Sequence, residues 1–291
     1  MGGGELGFLE RAAIGVICLS IFIFIIWLPQ VYKVWPVLTY SPLNVLARYY
    51  TEWQTQGWLV KESEHFQVRY LAPDADIVDL VLETAEEQYY PATALLGFQD
   101  SGKTLILIYP DRYSLARSFG WANDEEAMGV YWAGVIRILS PRDWIQSQEE
   151  FERIFKTQGP ILHEFAHLLV DKLAKGNYPR WLTEGIAQQV EKQITGYELP
   201  GPEPEDVLAW YSLEEMDKGF DSLPDQVLAY RQSFLMVGRL LEETGWEGVK
   251  RLLELLGSGW SLEKALFSVA GMRPGELLPS ISVRVPSSFQ G

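Results

Sequence analysis

His163-Glu164-Phe165-Ala166-His167, followed by Trp181-Leu182-Thr183-Glu184-Gly185, decides how this chain is read. In a helix the first stretch puts His163 and His167 at i and i+4, one above the other on a single face. Two imidazoles so placed can hold one divalent metal, zinc being the usual one. Glu164 is one position round from His163, where a carboxylate can reach a metal-bound water without being a ligand. Gln158-Gly159-Pro160 precedes the motif and suits a helix start. Ile161, Leu162, Phe165, Leu168, Leu169 and Leu173 keep helical spacing, and Gly176-Asn177 with Pro179 beyond mark a stop. Two imidazoles near the middle of a largely buried helix would be costly without a partner, and a metal removes that cost.

Taken alone, H-E-x-x-H is short enough to arise by chance. The chain has only 3 histidines, however, and two of them fall in this motif. A catalytic zinc needs a third protein ligand and an open position. Trp181-Leu182-Thr183-Glu184-Gly185-Ile186-Ala187 reads as the start of a second helix presenting Glu184 early, and the turn from Lys175 to Arg180 lets it pack back on the first. The rival pattern, with a third histidine six residues after the second, needs Gly at 170 and His at 173. The chain has Val170 and Leu173.

H-E-F-A-H followed by W-L-T-E-G-I-A resembles the gluzincin metallopeptidases, in particular the small peptidase MA-like domains. The likeness covers roughly Glu64 to Leu256. It implies a zincin-like fold, with His163, His167 and Glu184 as zinc ligands, Glu164 as general base, and a peptide or protein as substrate. Enzymes of this kind often stabilise the oxyanion with a Tyr or His downstream of the third ligand, and Tyr230 is the candidate here. Their substrates often pair with an edge strand, a part given to the strand within Tyr131 to Leu139.

The rest of the chain sets limits. A net charge of −15 argues against nucleic-acid binding. A single cysteine, Cys18, leaves no intrachain disulfide and no thiolate metal site. Ala12 to Leu28 is an uncharged apolar run that would span about 25 Å as a helix, close to a bilayer core. Trp27, Tyr32 and Trp35 flank it as an interfacial belt. No small-x-small cleavage site follows, so it reads as an uncleaved transmembrane anchor rather than a signal peptide. Flanking charges nearly tie, and the related domains favour a catalytic part outside the cytoplasm.

The expected organisation is tail and anchor over residues 1–34, connector over 35–61, catalytic domain over 62–275 and C-terminal tail over 276–291. Pro42 to Tyr50 could form an amphipathic helix, lying near the membrane or packing on the domain. Strands are expected at His65–Tyr70, Lys103–Tyr109 and within Gly129–Ser140, with Gly134 as a break. Helices are expected at Ala75–Leu96, Asp111–Phe119, Asp143–Lys156, Tyr230–Glu243, Trp246–Leu256 and Ser261–Val269. The order strand, helix, strand, strands, then mostly helices makes this an α+β fold, a small mixed sheet followed by a helical part carrying the metal helix.

Gly97 to Thr104 matches the phosphate-binding pattern G-x-x-x-x-G-K-T. A helix precedes it and a strand follows, the reverse of what a phosphate loop needs, so it is read as a turn and no nucleotide is expected. His65 starts a strand and is not expected at the site. Asp171, four residues after His167, could orient a ligand ring or be an exposed last-turn acid. Trp181 and Leu182 are expected in the core. The alternative function is a membrane-bound metal-binding sensor or scaffold without catalysis, which would keep the ligands but not need Glu164.

Overall fold

The computed structural model describes residues 40, 42–98, 102–119 and 127–279. The apolar run 12–28 and the tail from 280 lie outside them. Among the described residues no helix is long and apolar enough to cross a membrane.

A five-stranded sheet runs β1 (Leu59–Glu62), β2 (Phe66–Tyr70), β3 (Thr104–Tyr109), β5 (Val135–Leu139), β4 (Gly129–Trp132) in spatial order. The β2–β3 and β3–β5 pairs are parallel, and the outer β1 and β4 are antiparallel to their neighbours. The central β3 and β5 are buried throughout, as continuous apolar runs in a covered sheet should be. Ala133 and Gly134, both with positive φ, make the tight turn between β4 and β5. That turn is the expected break at Gly134.

Alternation along the strands separates two faces. Phe66, Val68, Ile106, Ile108, Ile136 and Ile138 belong to the main core, with the helical layer. Leu105, Leu107, Tyr109, Val135 and Leu139 form a smaller cluster on the other face with Trp58 and Phe119. Helix α1, residues 42–54, docks by polar anchors: Arg48 donates to the Lys103 carbonyl at 2.8 Å and Arg69 to the Glu52 carbonyl at 2.8 Å. The expected connector thus supplies a helix and a strand that pack on or pair with the sheet.

The main helical layer is α2 (Val78–Leu96), α6 (Ile161–Ala174), α7 (Arg180–Thr195), α9 (Gln226–Gly257) and α10 (Leu262–Ala270), with the short α3 (Arg112–Phe119), α4 (Pro141–Trp144), α5 (Phe151–Gln158) and α8 (Leu213–Gly219) between them. α2 ends on Gly97 in the left-handed region, φ 65°, and β3 begins at Thr104. The G-x-x-x-x-G-K-T stretch therefore leads from a helix into a strand.

One expected helix differs. Asp143–Lys156 is broken into α4 and α5: Ile145 is extended and buried, and Ser147 Oγ accepts the Glu150 N–H at 3.2 Å. A serine that satisfies a backbone donor locally competes with the helix. The pair expected at 230–243 and 246–256 is present as the two halves of α9, separated at Gly245 by its non-helical backbone (φ 64°, ψ −175°). It starts earlier than expected because Asp225 caps it, accepting the Leu228 N–H at 3.0 Å.

Candidate metal centre

The site is built where α6 and α7 cross beneath edge strand β4. Trp181 and Leu182 are fully buried and seat the start of α7 in the core, as expected. The Trp181 indole N–H donates to Asp217 Oδ1 at 2.7 Å. Gly185 permits the close approach of α7 to α9: a Cβ there would lie 2.3 Å from the Ser233 carbonyl oxygen and 2.5 Å from Val237 Cγ2. Glu184, the residue before it, is thereby carried to the α6 face, 1% exposed.

His163, His167 and Glu184 converge so that one ligand atom from each lies within 4.8 Å of the others. Glu184 Oε2 is 3.2 Å from His163 Nε2, and Glu184 Oε1 is 3.5 Å from His167 Nε2. Ligands on tetrahedral zinc, at bonds of about 2.0–2.1 Å, sit roughly 3.3 Å apart. The other ring nitrogens are engaged: His163 Nδ1 with Glu191 Oε2 at 2.8 Å, and His167 Nδ1 with Thr183 Oγ1 at 2.6 Å. Nδ1–H donated to an acceptor leaves Nε2 with its lone pair free for a metal, the usual arrangement around zinc histidines. Glu184 Oε1 is buried without a hydrogen bond. Arg180 Nη2 is 2.9 Å away as an ion-pair partner. Two imidazoles, one carboxylate and an unsatisfied buried oxygen fit a single zinc ion.

The electrostatics agree. Burial works against ionised Glu184, yet His167, His163 and Arg180 hold its carboxyl well below the usual range. Burial also works against a charged His163, but Glu191 and Glu184 raise its pKa well above the ordinary value. Burial pushes the Glu164 carboxyl up, the two histidines opposing. A raised carboxyl pKa suits a general base that must later release its proton as an acid.

Glu164 lies outside this three-residue cluster. Its Oε2 accepts the backbone N–H of Tyr131 at 2.5 Å, which ties it to β4. Gly129 lets that strand run so close, since a Cβ there would be 2.9 Å from Glu164 Cγ. Gly129, Tyr131, Glu164, His167 and Tyr230 line one cavity of about 1100 Å³. The expected cleft strand is thus β4, the edge, while its partner β5 is internal. Tyr230 faces this cavity against the Phe220 ring, its hydroxyl pKa raised by burial and by Glu184.

Other expected residues fall elsewhere. His65 is remote from the site, stacked 3.7 Å from the Tyr89 ring and bonded to Glu86. Asp171 neither holds a ligand ring nor lies exposed: it is buried and accepts from Tyr131 Oη at 2.6 Å and Tyr178 Oη at 2.9 Å. Sequence reasoning missed Arg180, Thr183 and Glu191. Glu191 had a signal, lying seven residues after Glu184 and so two turns along the same face of α7.

Residues 150–278, which hold His163, Glu164, His167 and Glu184 but not β4, match the family model of the peptidase MA superfamily. Among curated proteins no match to the chain is found.

Proposed function

We propose that the chain, whose residues 150–278 match the peptidase MA superfamily, is a gluzincin-like zinc-dependent metallopeptidase, with His163, His167 and Glu184 as ligands and Glu164 as general base. The convergence of the two Nε2 atoms on Glu184, with each Nδ1 already engaged, carries this reading. Bound zinc would polarise the substrate carbonyl and make water a stronger acid. Glu164, held by the Tyr131 N–H, takes the proton from water as its oxygen adds to the carbonyl carbon. It then delivers that proton to the amide nitrogen as the C–N bond breaks. The Tyr230 hydroxyl, facing the same cavity, donates to the developing oxyanion. A peptide pairing with the outer edge of β4 would lie along the cavity beside Glu164.

The protein is also proposed to be membrane-anchored through residues 12–28, with this domain outside the cytoplasm. On α1, Leu43, Leu46, Tyr49 and Trp53 are all exposed. An apolar stripe following an apolar run of near-bilayer length supports a position at the membrane surface.

Glu164→Gln tests the catalytic reading. The variant is expected to retain zinc and to lose hydrolysis of a mixed peptide library by about 10²-fold or more. Equal activity in variant and wild type would remove the general base. Zinc bound by a wild-type protein that cleaves nothing would favour the sensor or scaffold.

A further inference from the structure

Arg137 is left unused by this chemistry. It lies in β5 between Ile136 and Ile138, so its side chain takes the sheet face opposite α6. Its side chain lies among Thr51, Phe119 and Trp132: Nη2 donates to Thr51 Oγ1 at 3.0 Å, and the guanidinium carbon is 5.0 Å and 5.9 Å from the Phe119 and Trp132 ring centroids. The residue is 5% exposed, and Nη1 has no hydrogen-bond partner among the described residues. Burial pulls its proton affinity down, and the neighbouring Tyr109 hydroxyl opposes this. No carboxylate forms an ion pair with it among the described residues. A buried cation is ordinarily paired, and a guanidinium with a free N–H edge is a fork for a carboxylate.

The catalytic cavity reaches this group. Its lining includes His163, Glu164 and Glu184 together with Phe119, Trp132, Arg137 and the whole of β4. A strand added to the edge of β4 sends alternate side chains to opposite faces of the sheet. One set meets the α6 face. The other meets Trp132, which is 54% exposed, and Arg137 behind it. We propose that Arg137 is a specificity residue of the cleft, binding a substrate carboxylate that projects away from the metal helix. This rests on the peptidase reading above.

The test uses the zinc-loaded full chain and peptides differing by Glu/Gln exchange at each position around the cleaved bond, with free or amidated C-termini. Wild type is expected to prefer Glu over Gln at one position, or the free over the amidated terminus, by tenfold or more in kcat/KM. The two arms tell a side-chain carboxylate from a terminal one. In Arg137→Gln that ratio falls to about one, while Arg137→Lys keeps part of it. Because the ratio is internal to each protein, partial loss of folded enzyme does not alter it. Cleavage without discrimination in wild type, or discrimination that survives in Arg137→Gln, overturns the assignment. No cleavage of any peptide overturns the peptidase reading as well.

Discussion

Glu191 and Thr183 orient the two imidazoles through the ring nitrogens that face away from Glu184. Residues in this position usually tune metal affinity by 10–100-fold. Glu191→Gln is therefore expected to weaken zinc binding by roughly that factor, measured by competition with a chromogenic chelator. Unchanged affinity would show that His163 needs no carboxylate to orient it. At this scale the sequence was most legible for the convergent residues, because His163, Glu164 and His167 sit within one helical turn of each other. Glu184 followed from the need for a third ligand and from resemblance. Arg180, Thr183 and Tyr131 were not legible, because their contacts exist only once α7 packs on α6 and β4 lies over both.

Gly185 links the element scale to the site. Its missing side chain lets α7 lie against α9, and Gly185→Ala would drive a methyl group into the Ser233 carbonyl. The substitution should destabilise the fold by about 1–3 kcal/mol or more, read by denaturant unfolding of the metal-free protein. A stability within a few tenths of a kcal/mol of wild type would mean that the two helices separate freely. Periodicity gave α2, α6 and β3 closely, since each has a long, consistent apolar pattern. It failed between Asp143 and Lys156, where Ser147 turns the backbone, and it missed β1, whose four residues are all exposed and carry no alternation. Asp225 set the start of α9 by capping, a local signal that a pattern of apolar residues does not contain.

For the whole molecule, the join between the sheet and α2 carries a pH signature. Glu86 accepts both the backbone N–H of His65 and its ring nitrogen at 2.7 Å each. Burial raises this carboxyl, but the His65 and Ser63 hydrogen bonds and the imidazole outweigh it and hold the pKa below the ordinary value. A carboxyl depressed on folding contributes stability above its unfolded pKa, about 4.3, and that contribution is lost as pH falls through the folded value. Glu86→Gln should therefore lower Tm at pH 7, and the gap to wild type should narrow below about pH 4. A gap that stays constant between pH 7 and pH 3 would exclude this linkage. The α+β layout was readable because the strands fall in the first half of the chain and the second half is mostly helical. The order of the sheet was not, since it depends on which edges remain after β3 and β5 pair.

The central claim is that three side chains from two helices form one metal site. Zinc content by elemental analysis, on the purified full chain and on Glu184→Ala in parallel, tests it most directly. The account predicts about one zinc per wild-type chain and a weakened or empty site in the variant, with both proteins folded by circular dichroism. A folded wild-type protein that takes up no zinc after loading, or a variant that binds it as tightly, would contradict the account.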